Sequence, residues 1–261
     1  SLSSRSLSSR SLSSRSLSSR SLSLGVIILA GGYSRRMGTD KALLILPNGQ
    51  FLIDHTAQVA QRLSSEVLVV TPWPERYQAT LPTSIRLITE VHPPPDPAFC
   101  QRSSQKSSQK PSAGPLSGFI AGWQHLSTDW CLLLACDLPN LDGTVLQQWW
   151  AWIQAQSALG WPLLTSASSA SLASGQPMAS LVPMLKGRRS GWEPLCGYYH
   201  RSCLSSLTQQ LSAHQCAFQP AFQPWLSTIC IARYNHVPPQ MLRNCNTPAE
   251  WAAVNQSDHS I

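Results

Sequence analysis

Short apolar runs alternate along this chain with segments whose apolar residues recur at helical spacing. The runs are Val26–Ala30, Glu66–Val70, Ile85–Ile88 and Trp130–Ala135. A strand with one wet face alternates apolar and polar positions, so continuous apolar runs of this length predict strands buried on both faces. Between them, Leu52, Val59 and Leu63 mark a helix over about Ile53 to Leu63. Ser117–Leu126 and the tryptophan-rich stretch Thr144–Ala155 read as two more helices. Further on the pattern weakens. Residues 165–180 are small and polar and predict a loop, Leu181–Leu185 and Leu195–Tyr199 predict strands, and Ser202–Leu211 predicts a helix. Strand–helix alternation with wholly apolar strands implies an α/β fold of three layers, Rossmann-like, with a mostly parallel central sheet. In such sheets ligands bind at the carboxyl ends of the strands.

Composition trims this picture at both ends and in the middle. Residues 1–20 are four copies of SLSSR, followed by SLS. Serine-rich sequence with evenly spaced charge cannot bury enough apolar surface to offset chain entropy, so residues 1–23 are expected to be a disordered tail. The same Arg-rich, acid-free composition is also that of an organelle transit peptide. A second repeat, SSQKSSQK at 103–110, follows the prolines Pro93, Pro94, Pro95 and Pro97 and predicts a flexible insert at about 93–112. The expected organisation is therefore one domain over 24–256 with that insert, and a short tail over 257–261.

The net charge of +7 raises a nucleic-acid partner, but its distribution argues against one. Arg5, Arg10, Arg15 and Arg20 lie in the first repeat, and Arg102, Lys106 and Lys110 in the insert. Removing these seven positives leaves the remainder formally neutral, so no specific nucleic-acid partner is expected. No apolar run approaches the length of a membrane span, so no membrane partner is expected either. The eight cysteines, Cys100, Cys131, Cys136, Cys196, Cys203, Cys216, Cys230 and Cys245, include no C-x-x-C and no zinc spacing. They predict free thiols in a reducing, cytoplasmic setting.

Candidate chemistry gathers where the first strand ends, in LAGGYSRRMGTDKALL, residues 29–44. Gly31 and Gly32 allow a sharp turn and close approach to a ligand, and successive backbone N–H groups of such a turn bind an anion. Arg35, Arg36 and Lys41 add full positive charges suited to phosphate oxygens. The string is neither a Walker A loop, whose spacing fails at Gly38-Thr39-Asp40-Lys41, nor a G-x-G-x-x-G fingerprint. It predicts a phosphate cradle for a nucleoside triphosphate.

Asp137 is the second anchor. A carboxylate at the end of a buried strand is costly unless it meets a cation. Magnesium takes one or two carboxylates together with substrate phosphates and water. A turn or helix cap beside Pro139 is the ordinary alternative. Gly114-Pro115-Leu116-Ser117-Gly118 precedes a helix that Ser117 is placed to cap. Thr247, Pro248 and Glu250 form a capping box with proline at the first helical position. Helix-start chemistry explains Asn244 and Asn246 less well, which leaves them free to face a second substrate. Histidines show no triad or ligand spacing, and no G-x-S-x-G elbow is present.

These residues together resemble the molybdenum cofactor guanylyltransferases (molybdopterin guanine dinucleotide synthases) of the nucleotidyltransferase superfamily. Leu29 through Lys41 fill the opening L-A-[GA]-G-x-[SG]-x-R-M-G-x-[DN]-K, Cys136–Pro139 the C-D-x-P motif, and Gly114–Gly118 the G-P-L-[SA]-G motif. Asn244–Pro248 fill N-x-N-T-P, and Pro194–Tyr199 resemble the strand P-L-x-G-x-Y, whose start is expected near the pterin side. The likeness runs from residue 25 to about 254. It implies the nucleotidyltransferase version of the fold, and transfer of GMP from GTP to Mo-molybdopterin with release of pyrophosphate. It further implies Mg2+ as cofactor, held by Asp137, with molybdoenzymes or cofactor-insertion proteins as partners. Leu29, Ala30, Gly31, Gly32, Lys41, Glu90 and Asp137 would bind nucleotide. Arg35, Lys41 and Asp137 would be catalytic, and Asn244 and Asn246 would lie on the acceptor side. Glu90 stands where the family usually has an aspartate, and Asp96, six residues on beside the insert, is the alternative carboxylate for that place. A CTP-dependent cytidylyltransferase of the same cofactor is the nearest alternative, although its relatives tend to read L-A-A-G. A sugar-phosphate nucleotidyltransferase is the second.

Overall fold

The computed structural model describes residues 21–31, 40–90, 114–158, 178–184, 191–213, 222–245 and 247–257. Its framework is a seven-stranded sheet in the order β3-β2-β1-β4-β6-β5-β7. The strands are β1 (Leu24–Leu29), β2 (Glu66–Thr71), β3 (Arg86–Thr89), β4 (Trp130–Ala135), β5 (Met178–Met184), β6 (Gly191–His200) and β7 (Cys230–Arg233). The first four are mutually parallel, β6 runs against β4 and β5, and β7 is parallel to β5. The sheet is thus mostly parallel, with β6 the reversed member.

Burial on both faces follows from the apolar runs. Along β1, Val26 and Ile28 face one core with Val67, Val69, Leu132 and Leu134. Ile27 faces the other core with Leu68, Val70, Cys131 and Leu133. The first core is covered by α1 (Leu52–Gln61) through Ile53 and Ala57, and by α3 (Gly143–Ala158) through Leu146, Trp149 and Ile153. The second is covered by α2 (Pro115–Trp123) through Leu116, Phe119 and Trp123. Beside it lie α4 (Cys203–Ala213), with Leu207, and α5 (Phe222–Leu226), with Trp225. Three layers result, as the alternation predicts.

Three details differ from the sequence expectation. α2 begins at Pro115, not Ser117. Gly114 occupies the cap position at φ 77°, a conformation that favours glycine, and Pro115 fills the first helical turn. Ser117 lies inside the helix and is buried. β5 starts at Met178, inside the stretch expected as loop, because it is paired on both sides by β6 and β7. α5 and β7 carry no strong sequence pattern.

The capping box forms as expected at α6 (Pro248–Ser257). The Glu250 amide donates to Thr247 Oγ1 at 3.3 Å, and the Thr247 amide donates to Glu250 Oε2 at 3.1 Å. Among the described residues Cys131, Cys136, Cys196, Cys203, Cys230 and Cys245 are free thiols, as predicted; Cys100 and Cys216 lie outside them. No described helix is long and apolar enough to cross a membrane.

Candidate active site

Sheet register fixes where the chemistry sits. Leu29 is level with Val70 on β2 and Ala135 on β4, so the segments following all three strands emerge at one edge. The Ala30 amide still donates to the Val70 carbonyl at 2.9 Å, the Cys136 amide to the Leu29 carbonyl at 3.2 Å, and the Glu90 amide to the Thr71 carbonyl at 2.9 Å. A cleft of about 220 Å³ opens there. Its walls include Leu29, Ala30, Gly31, Lys41, Glu90 and Asp137, all of them sequence-predicted, together with Gly114, Gly118 and Leu195. Gly32, Arg35, Arg36 and Asn246 lie outside the described residues.

Lys41 and Asp137 meet in this cleft. Lys41 Nζ stands 3.5 Å from Asp137 Oδ2, with the two side chains 16% and 19% exposed. That exposure shields the pair from bulk water and leaves it reachable from the cleft. Asp137 Oδ1 is buried and has no hydrogen-bond partner among the described residues. A buried carboxylate oxygen without a partner is costly, and a bound cation relieves that cost. The same described set contains no group of three or more His, Cys, Asp or Glu side chains arranged for a metal. One carboxylate supplemented by substrate phosphates and water is the donor set that suits magnesium.

Glu90 lines the same cleft, beside Gly31 and Gly118. A Cβ on Gly31 would lie 2.9 Å from Glu90 Oε2 and 3.1 Å from Pro72 Cδ, and a Cβ on Gly118 would lie 3.6 Å from Glu90 Cδ. Glycine at 31 and 118 therefore gives the carboxyl its space between the phosphate loop and α2. Burial raises the Glu90 carboxyl from its ordinary 4.5 to about 7. Cys136, next to Asp137, is held protonated: burial raises its thiol far above the usual range, and the carboxylates of Asp137 and Asp40 push the same way. A thiol so held is no nucleophile at neutral pH.

Asp40 carries no role in the sequence expectation, yet it organises the end of the loop. Its Oδ1 accepts from the Ala42 amide at 3.1 Å and caps the single 3-10 turn Lys41–Leu43. Its Oδ2 accepts from the Tyr77 hydroxyl at 2.7 Å and lies 3.6 Å from Arg76 Nη1. Only its place beside Lys41 in the opening motif could have flagged it; no spacing rule reaches from Asp40 to Tyr77.

The carboxy-terminal motif closes on the same edge. The Cys245 amide donates to the Asp137 carbonyl at 3.3 Å, which ties the segment holding Asn244 to the metal-candidate aspartate. Asn244 Oδ1 is buried without a hydrogen-bond partner among the described residues. His200 is a packing residue: its ring lies edge-on to Trp130 at 5.2 Å and contacts Ser202 Oγ at 2.9 Å.

Comparison with known proteins bears on the family and the fold. Residues 26–223 match the family model of the MobA-like NTP transferase domain. A protein of Nostoc sp. named "Probable molybdenum cofactor guanylyltransferase" is 34% identical over 89% of this chain and 90% of its own length. One of the same name from Synechococcus elongatus is 33% identical over 90% of this chain and 100% of its own. Among solved structures, molybdopterin-guanine dinucleotide biosynthesis protein A from Archaeoglobus fulgidus shares the fold. It superposes with a TM-score of 0.59 at 16% identity, covering 91% of this chain and 100% of that one.

Proposed function

The chain belongs to the MobA-like NTP transferase family, among the molybdenum cofactor guanylyltransferases, and from that premise we infer that it transfers GMP from GTP to Mo-molybdopterin. The products are molybdopterin guanine dinucleotide and pyrophosphate. The observation that carries the site is the convergence of Lys41 and Asp137 in one cleft at the carboxyl edge of the sheet, with Asp137 Oδ1 still lacking a partner among the described residues.

The acceptor's terminal phosphate is the nucleophile. Its second pKa is about 6, so it is largely ionised near neutrality and needs no general base. A phosphate oxygen of the acceptor forms the new bond to the α-phosphorus, and the bond to the β-phosphate breaks. The residues then have two tasks: to bring anions together and to stabilise charge on the transferring phosphorus. Ala30 and Gly31 line the cleft at the start of the triphosphate path, and Gly32 is assigned to the triphosphate from its place in the motif. Lys41 neutralises phosphate charge as a compact point charge. Arg35, next to the arginine that the motif requires at 36, is assigned the same task. Glu90, which lines the cleft, is assigned to the nucleotide, and Leu195 in the cleft wall and Asn244, next to the Cys245 that bonds the Asp137 carbonyl, are assigned to the acceptor side. Asp137 fits as the ligand of a magnesium ion, which when bound supplies charge neutralisation on the phosphates and on the leaving pyrophosphate.

GTP labelled at the α-phosphate tests the reaction. With Mo-molybdopterin and magnesium, the label should enter a pterin dinucleotide with one pyrophosphate released per transfer. Label recovered as free GMP would make the protein a hydrolase and defeat the reading.

A further inference from the structure

Tyr77 belongs to none of the sequence motifs, yet its hydroxyl is aimed at both ends of the phosphate loop. It follows the 3-10 turn Pro74–Arg76 beyond β2 and is buried. Its hydroxyl donates to Asp40 Oδ2 at 2.7 Å, the length of a charge-assisted O–H···O⁻ bond. It also stands 3.5 Å from the carbonyl oxygen of Ala30, a longer second contact. Ala30 opens the loop and Asp40 closes it.

The closing end is held from several sides. Arg76 lies 3.6 Å from Asp40 Oδ2, and its guanidinium is stacked over the Trp73 ring at 4.3 Å. The other Asp40 oxygen caps the turn through the Ala42 amide at 3.1 Å. Lys41 sits between Asp40 and Ala42, so these bonds set the direction in which its side chain leaves the backbone. That direction brings Nζ to 3.5 Å from Asp137 Oδ2. Burial, together with the Asp40 carboxylate, drives the Tyr77 pKa far above its usual value, so the hydroxyl remains a donor at every physiological pH.

We propose that Tyr77 is a positioning residue: through Asp40, its hydroxyl holds Lys41 where it meets the triphosphate. This rests on the reading of Lys41 as a phosphate contact. A buried tyrosine that merely satisfied its own hydroxyl would affect stability and leave nucleotide affinity alone.

Tyr77→Phe removes the hydroxyl and keeps the ring. The readouts are the Kd and KM for GTP, the KM for Mo-molybdopterin, and the melting temperature, with the kinetics taken well below that temperature. The expected result is a GTP Kd and KM raised about fivefold or more, with the acceptor KM unchanged. Because Tyr77 acts through Lys41, the same substitution in a Lys41→Ala background should leave the already weakened GTP Kd where it is, as non-additive partners do. Asp40→Asn, which halves the anchor from the other side, should raise the GTP Kd in the same direction and serves if Tyr77→Phe does not fold. A Tyr77→Phe protein with lowered melting temperature and unchanged GTP affinity overturns the inference. So does an equal loss of GTP affinity in the Lys41→Ala background. Wild-type GTP binding and turnover in Lys41→Ala alone would overturn the reading of Lys41 and the inference with it, whereas a defective Lys41→Ala beside a normal Tyr77→Phe and Asp40→Asn would overturn the inference only.

Discussion

Lys41 Nζ and Asp137 Oδ2 lie 3.5 Å apart although 96 residues separate them in the chain. Parallel pairing of β1 with β4, in register from Leu24 with Trp130 to Leu29 with Ala135, brings the two segments to one edge. The pair joins a cation for phosphate to a carboxylate with an oxygen to spare for a metal.

Removing either member should therefore cost turnover more than fold. Lys41→Ala and Asp137→Ala are each expected to lower turnover by about a hundredfold or more, on the order of 3 kcal/mol of barrier. Both should keep a cooperative melt. Chelation of divalent ions should abolish wild-type turnover and added magnesium restore it, while Asp137→Ala should stay inactive across the magnesium titration. Steady-state kinetics with circular dichroism on the same samples checks this.

Glu90 makes stability depend on pH. Its folded value of about 7 lies above the ordinary 4.5. The folded state thus binds the proton more tightly than the unfolded chain. The stability this group contributes is complete below about pH 4.5 and is lost as pH rises through 7. Glu90→Gln keeps the shape without the charge. It should flatten the wild-type decline in melting temperature between pH 4.5 and 7, and should melt above the wild type at pH 8.

Gly31 gives Glu90 its space. Gly31→Ala would bring a Cβ to 2.9 Å from Glu90 Oε2. The nearest atom is the end of a side chain, which can swing into the cleft, and Pro72 Cδ, at 3.1 Å, has to give by only a few tenths of an ångström. The expected outcome is a GTP Kd raised about tenfold with little change in melting temperature, read by titration and thermal melting.

The capping box offers a stability test remote from the chemistry. Thr247→Ala removes the acceptor for the Glu250 amide, a bond of 3.3 Å, and should cost about 1 kcal/mol in denaturant unfolding.

Legibility in the sequence followed how each element is stabilised. β1, β2 and β4 read directly because both faces of each are buried, so their residues are apolar throughout. The reversal of β6 did not read, since a strand's direction depends on its distant partners β4 and β5 and leaves no mark on its own pattern. β7 is four residues long, CIAR, too short to show a period. At α2 Ser117 has the chemistry of a cap, while the helix start is set by Gly114 at positive φ followed by Pro115. In the site, Lys41, Asp137 and Glu90 were visible because motif residues at strand ends share one sheet edge. Tyr77 was not, because its link to Asp40 spans 37 residues and is made in space alone.

Base choice is the most direct test of the central claim. Purified protein with magnesium and Mo-molybdopterin is offered GTP, CTP and ATP separately, and pyrophosphate is followed. Release with GTP, absent without the pterin and at least about a hundredfold weaker with CTP and ATP, is the predicted result. Release with CTP alone would contradict the account.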